Sequence, residues 1–119
     1  MKESQIYLYN NVEFEGYVTN FERSNNHSFG IIQLKVIKSN TLDFDKKIET
    51  GIYPYKIKGD IAEIYCTVSV DRKKGDVVKV ISNNETVYYN PERGNEEGSI
   101  FIITDPYNIK FVKKNSSFK

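Results

Sequence analysis

The side chain most often used for proton transfer occurs once in this chain, at His27. Glu22, Ser24 and Ser28 lie close to it in sequence, which supplies the residue types of a nucleophile, a base and an orienting acid. All of them fall in one predicted turn, whereas hydrolytic sites collect their groups from separate segments of a rigid scaffold. We therefore expect a solvated turn histidine, no catalytic residues and no enzymatic activity.

Metal and cofactor sites are equally hard to assemble from the sequence. Asp43 and Asp45 have one residue between them, but a hard cation needs six or more oxygen ligands, and Lys46 and Lys47 follow directly. Acidic pairs beside other turns have Lys or Arg close by and are interpreted as caps and surface ion pairs. The chain has no glycine-rich phosphate cradle of either common spacing. We expect no metal and no cofactor.

Composition limits the class of protein further. The 119 residues fit one domain, which we assign to residues 1–119 with frayed ends at 1–5 and 113–119. Seventeen basic and sixteen acidic residues leave a formal charge of +1, so no strong basic excess is available for nucleic acid or anionic membranes. The lone Cys66 excludes an intramolecular disulfide and is expected to pack in the core.

The apolar runs are short. None approaches the roughly 20 residues of a membrane-spanning helix, and residues 1–7 lack the apolar region of a secretory signal. We expect a soluble, cytoplasmic protein, unless an amino-terminal signal or anchor has been removed. A composition rich in Lys, Asn, Ile and Tyr is typical of AT-rich genomes and gives the chain a bacterial-like character.

The clearest structural signal is the alternation of residue types between Asp60 and Ile81. Because successive strand side chains point to opposite faces, one set should be buried and the other exposed. A polar loop divides the segment and predicts a hairpin. The expected inward set is Ala62, Ile64, Cys66, Val68 and Val70, and the outward set is Glu63, Tyr65, Thr67, Ser69 and Asp71.

The amino-terminal half predicts a second hairpin. Alternate residues from Val12 to Val18 form the inner face of a first strand, in which Gly16 would permit a bulge. A turn follows, and the next strand runs from Phe29 to about Lys38. Residues 39–58 are either a short helix capped by Thr41 or an irregular crossover, and we favour the helix slightly.

Shorter elements complete the chain. Residues 86–89 and 99–104 are predicted strands, separated by a long polar loop at 90–98. Asp105 and Pro106 are typical of a helix start, so residues 109–112 form either a docking helix or a last strand. Together these elements predict an all-β fold, a small antiparallel β-barrel of OB-like type with at most one or two short helical turns. An SH3-like barrel or a small sandwich is the second interpretation.

One functional hypothesis follows from the OB-like interpretation, because such barrels bind single-stranded oligonucleotides with aromatic side chains in a basic groove. Glutamates on the same strand faces would repel phosphates and argue against it. The residues that would carry this binding are Tyr17, Phe21, Lys35, Tyr65, Arg72, Lys73 and Lys74.

The hypothesis that we prefer is protein binding. Exposed Tyr alternating with Glu and Lys is typical of interfaces, which enrich aromatics and need no net charge. The polar loop adds Glu92, Arg93, Glu96 and Glu97 to the candidate surface. We expect a non-catalytic binding module, for example a small inhibitor or an immunity-type partner. The partner's identity and the oligomeric state stay open.

Overall fold

A computed structural model describes residues 3–94 and 96–118, with side chains described from residue 6 onward. The helices are α1 (Glu3–Leu8) and α2 (Pro106–Asn115), and a short 3-10 helix spans Ser82–Asn84. The strands are β1 (Glu13–Arg23), β2 (Phe29–Ser39), β3 (Asp43–Phe44), β4 (Lys47–Ile48), β5 (Gly51–Ile52), β6 (Tyr55–Lys58), β7 (Ile61–Thr67), β8 (Val77–Ile81), β9 (Thr86–Tyr89) and β10 (Glu96–Ser99).

Eight strands form one antiparallel sheet in the order β10-β9-β8-β1-β2-β7-β6-β3, and β4 pairs with β5 as a separate hairpin. Within it, β8-β1-β2-β7 has the spatial order of a Greek key, because β8 returns to lie beside β1. The predicted antiparallel, mostly β class is confirmed. Across the described residues no ladder joins β3 to β10, so the hydrogen-bonded sheet is open.

The predicted hairpin across residues 60–81 is wrong. β7 pairs with β2 and β6, whereas β8 pairs with β1 and β9. The intervening loop crosses the end of the β1–β2 hairpin, where the Val68 amide donates to the Ser28 carbonyl over 2.8 Å. Val70, expected inward, is 82% exposed in that loop. Alternation identified the strands, but pairing depends on contacts between distant segments.

The β1–β2 hairpin is confirmed, and two register shifts bend it. One lies between Glu15 and Gly16, where a Cβ atom on the glycine would collide with the Lys35 carbonyl oxygen. The second lies between Val18 and Asn20 and leaves Thr19 as an extra residue on β1. A bulge shifts the side-chain alternation by one residue, so the two halves of β1 present opposite phases to the core.

The sheet is buried on both faces, though unequally. Its inner face forms the main core, with Phe14, Ile32, Leu34, Ile64 and Val80 among its members. On the outer face, α2 covers a smaller cluster of Phe29, Ile31, Tyr65, Ile103 and Val112. One end of the outer face is covered by α2, therefore, and the other end is exposed.

The helix favoured for residues 39–58 is absent from the structure, and the segment forms short strands. Asp43 and Phe44 pair with Lys58 and Ile57 on β6. The Phe44 ring packs against Tyr53 and Tyr55, with both centroid distances 5.0 Å. Leu42, which a helix would have buried, is exposed. The extended backbone is favoured over a helix because it places these aromatic rings in the core.

The carboxyl-terminal quarter also differs in part. Residues 99–104 form no regular strand except the end of β10 at Ser99, although Ile103 makes a bridge to Ile52. The predicted cap is confirmed, because the Asp105 side chain accepts from the amides of residues 107 and 108 at the start of α2. This ten-residue helix is longer than the short turns expected. Among the described helices none is long and apolar enough to cross a membrane.

Both predicted frayed ends, 1–5 and 113–119, include helical residues within the described part of the chain. Residues 3–8 form α1, with the Leu8 side chain fully buried in the main core. Residues 113–115 belong to α2, and the backbone beyond it is bonded to the sheet. Residues 1, 2 and 119 lie outside the described residues. The ends differ from the prediction because Leu8 packs in the main core and the segment after α2 is hydrogen-bonded to β7.

Candidate functional site

The predicted binding residues do not share one surface. Tyr65, expected on the wet face of its strand, is completely buried because α2 packs over that part of the outer face. Its hydroxyl donates a hydrogen bond to Glu63 over 2.8 Å. Burial, and then the charge of Glu63, raises the pKa of the Tyr65 hydroxyl. The predicted exposure of Tyr65 is therefore wrong, and its side chain is not available on the surface.

Glu63 forms the centre of a buried hydrogen-bonded cluster. Besides Tyr65, its carboxylate accepts from the Ser116 hydroxyl at 2.6 Å. Ser117 donates both its amide, at 2.9 Å, and its hydroxyl, at 2.7 Å. The three bonds from Ser116 and Ser117 fix the end of α2 to β7, and all four compensate for removing the carboxylate from water. Sequence alternation missed this role, and the helix-start signal of Asp105 and Pro106 was the indication of a docking helix in this part of the chain.

Arg72 is a second wrong placement. Its guanidinium is buried and lies 3.8 Å from the centroid of the Tyr89 ring. Nη2 donates to both carboxylate oxygens of Glu96 at 2.9 Å, and Nε lies 3.0 Å from Asp76 Oδ2. Arg72 thereby ties its loop to β10. The predicted exposure of Arg72 is therefore wrong, whereas Glu96 is exposed and its role in binding stays a prediction.

Asp76 completes this cluster. Burial opposes its ionisation, but the Lys73 amide and the Asn90 side chain donate to it at 2.9 and 3.3 Å. Together with the Arg72 charge, these bonds hold the pKa of Asp76 below its usual range. The ionised form is thus part of the folded loop.

Phe21 belongs to the core side and not to the predicted surface. It is half-buried against the main core, and the Arg23 guanidinium lies 5.3 Å from its ring centroid. The bulge at Thr19 is the reason, because it reverses the alternation between Tyr17 and Phe21. A pattern read without the bulge puts both rings on one face.

Two predicted residues do lie together on the exposed end of the outer face. Tyr17 on β1 is directly opposite Lys35 on β2, and Lys35 is directly opposite Ile61 on β7. Ile37, which the sequence analysis did not select, is the extra residue in the β2 bulge opposite Glu15 and Gly16. We call Tyr17, Lys35, Ile37 and Ile61 the outer patch.

The outer patch is apolar with a charged centre. Tyr17 is 40% exposed, Ile37 62% and Ile61 38%. Lys35 forms an ion pair with Asp60 at the turn before β7. The hydrogen bond between the two groups and their opposite charges raise the pKa of Lys35 and lower the pKa of Asp60. The patch can therefore offer apolar contact around one oriented ammonium group.

The remaining predicted residues are exposed, but they belong to other segments of the chain than the residues of the outer patch. Lys73 and Lys74 lie in the loop before β8, and Glu92 and Arg93 in the turn before β10. Glu97 pairs across β10 and β9 with Tyr88. Their role in binding stays a prediction.

The groups considered for chemistry are also dispersed. His27 is exposed in the β1–β2 turn with a φ of 53°. In the described part of the chain, no cluster of three or more His, Cys, Asp or Glu side chains could hold a metal ion. Cys66 is buried, with Sγ 3.6 Å from the Tyr89 hydroxyl, and burial raises the pKa of its thiol to about 11. Its predicted core packing is confirmed.

Comparison with known proteins adds no relative. The chain matches no protein family, no curated protein and no solved structure.

Proposed function

We propose that this protein is a non-catalytic binding module and that its partner is another protein, bound at the outer patch. The observation that carries the proposal is the uncovered end of the outer sheet face, where Tyr17 and Ile61 lie directly opposite the ion-paired Lys35 and the exposed Ile37 follows on the same strand as the lysine. Interfaces concentrate aromatic and aliphatic anchors in this way, with charged groups setting orientation. A small inhibitor or an immunity-type protein is the kind of binding module that we propose for this chain.

The alternative, binding of single-stranded oligonucleotides, has less support. The aromatic and basic set proposed for it loses Tyr65 and Arg72 to burial, and Phe21 to the core side. α2 also covers the outer surface of β2 and β7 around Ile31, which is the kind of face that OB-type barrels use for nucleic acid. What is left, chiefly Tyr17 and Lys35, is too small for a stacking groove.

We retain the OB-like fold as part of the proposal. Its supports are the Greek-key order of β8-β1-β2-β7 and the two bulges that bend β1 and β2. OB folds are partly open Greek-key barrels, and closure of a small barrel requires such bends.

The test compares two aspartate substitutions at exposed positions. Ile37→Asp puts a charge in the outer patch, and Val70→Asp makes the same change at an 82% exposed site in the loop after β7. The wild-type chain is immobilised and exposed to native lysate. Any protein that it retains is purified, and its affinity for the wild type and for each variant is measured. We expect Ile37→Asp to weaken binding at least about 30-fold, as for an interface hot spot, and Val70→Asp to bind like the wild type.

Three results would contradict the proposal. Equal weakening by both variants would indicate a general effect of added negative charge. Unchanged binding by Ile37→Asp would remove the outer patch. Tight, salt-sensitive binding of fluorescent oligothymidylate by the wild-type chain, with no protein partner retained, would favour the oligonucleotide function.

A further inference from the structure

A cavity of about 410 Å³ lies between the β4–β5 hairpin and α2. The hairpin is attached by reciprocal backbone hydrogen bonds of 2.9 Å between Ile52 and Ile103. Gly51 permits the close approach, because a Cβ atom there would collide with the Ile103 carbonyl oxygen. The hairpin is therefore built against the rest of the molecule and encloses a defined space, which we call the basic groove.

The floor of the basic groove is apolar. Ile48, Ile52 and Ile109 line it and are only half-buried, and the buried Tyr53 and Val112 complete it. Aliphatic side chains of this size usually gain stability from full burial. Here the cavity leaves part of three isoleucines uncovered, so an apolar ligand would gain contact without any rearrangement of the core.

The rim of the basic groove is positively charged. Four lysines and two carboxylates line it: Lys46, Lys47, Lys56, Lys113, Asp45 and Glu49. Lys56 and Asp45 pair with each other at 3.7 Å. The lining residues outside this pair are three lysines and one carboxylate, that of Glu49, so positive charge is in excess. Such an arrangement attracts an anion and disfavours a cation.

We propose that the basic groove binds a small amphipathic anion, a carboxylate carried on an apolar chain. Its volume is in the range of small-molecule sites, which join an apolar lining to a few charged groups that fix orientation. The chain would contact the isoleucine floor, and the carboxylate would be held between Lys47 and Lys113, which approach from the hairpin and from α2. The basic groove and the outer patch share no residue, so this proposal is independent of protein binding.

The test uses isothermal titration calorimetry with decanoate below its micelle concentration. We expect saturable binding at one site, and no comparable binding of decyltrimethylammonium, which has the same chain and the opposite charge. The variants Lys47→Glu and Lys113→Glu, combined, should weaken decanoate binding at least tenfold. Lys114→Glu is the matched control, because it lies in the same exposed last turn of α2 but outside the groove lining, and it should bind within twofold of the wild type.

Several outcomes overturn the proposal. Absence of saturable decanoate binding removes the site. Equal binding of the cationic probe indicates apolar adsorption without recognition of charge. Equal loss in Lys114→Glu and in the double variant indicates a general effect of the helix charge, and unchanged binding in the double variant places decanoate elsewhere.

Discussion

At the scale of single residues, the buried polar groups explain why several predicted surface positions are structural. Glu63 and Tyr65 occur where alternation predicts exposure and Arg72 occurs in the predicted polar loop, yet each is buried with hydrogen-bonding or charged partners. Buried polar groups with partners are costly to disturb one at a time, since a change leaves the others unsatisfied. The Cys66 thiol, in contrast, is shielded from solvent by burial in the core.

Cys66 should be unreactive in the folded protein. Burial and a pKa raised to about 11 leave almost no accessible thiolate at neutral pH. We expect an aromatic disulfide reagent to label the native chain at least about 100-fold more slowly than the chain unfolded in guanidinium. The single cysteine makes the assay unambiguous. Labelling of both states at the same rate would show that the thiol is accessible.

Asp76 should make the stability of the loop before β8 depend on pH. Its folded pKa is lowered, so its contribution is present above the unfolded value of about 3.9 and is lost as the pH falls through the folded pKa. In urea unfolding, Asp76→Asn should be less stable than the wild type near neutral pH, and the difference should shrink below about pH 4. Arg72 and Glu96 are unchanged in this variant, so the comparison isolates the effect of the Asp76 carboxylate.

The exposed neighbour Asp71 gives the matched control for this experiment. Asp71→Asn should follow the wild type at every pH, within about 0.5 kcal/mol. A difference between wild type and Asp76→Asn that is constant across the acid range would contradict the account of the Asp76 carboxylate.

At the scale of elements, α2 is the element that decides which part of the sheet is exposed. It covers the outer face around Ile31 and Tyr65, and Glu63 fixes its carboxyl-terminal end through Ser116 and Ser117. The outer patch is exposed because it lies beyond this cover.

The Glu63 cluster should hold the segment after α2. Glu63→Gln replaces one accepting oxygen by an NH₂ group that would face hydroxyl and amide donors, so we expect a loss of about 1–3 kcal/mol in the free energy of unfolding. Glu22→Gln, at an exposed position on β1, should cost no more than about 0.5 kcal/mol. Hydrogen exchange of the Ser117 amide should also be faster in Glu63→Gln.

If Glu63→Gln unfolds as the wild type does and the Ser117 amide exchanges unchanged, the cluster does not anchor the segment. Should that variant be too unstable to study, Ser117→Ala removes one donor only and gives the milder form of the same test.

At the scale of the whole molecule, the sequence predicts strands well and their partners poorly. The inner faces of β1 and β2 follow from alternation, and Asp105 identifies the start of α2, because both signals are local. The pairing of β7 with β2 and β6 depends on segments distant in sequence, and the phase change at Thr19 depends on a bulge with no distinctive residue. Tyr17 and Lys35 face outward as predicted, because no bulge interrupts the alternating stretch of the strand in which each of them lies.

The central claim is that a protein partner contacts the outer patch, and photo-crosslinking tests it most directly. A photoreactive phenylalanine analogue replaces Ile37 in one chain and Val70 in another, and each is irradiated with the partner isolated by the wild-type chain. The account predicts a covalent adduct from position 37 and none from position 70. Crosslinking from position 70 alone, or from both positions equally, would contradict it.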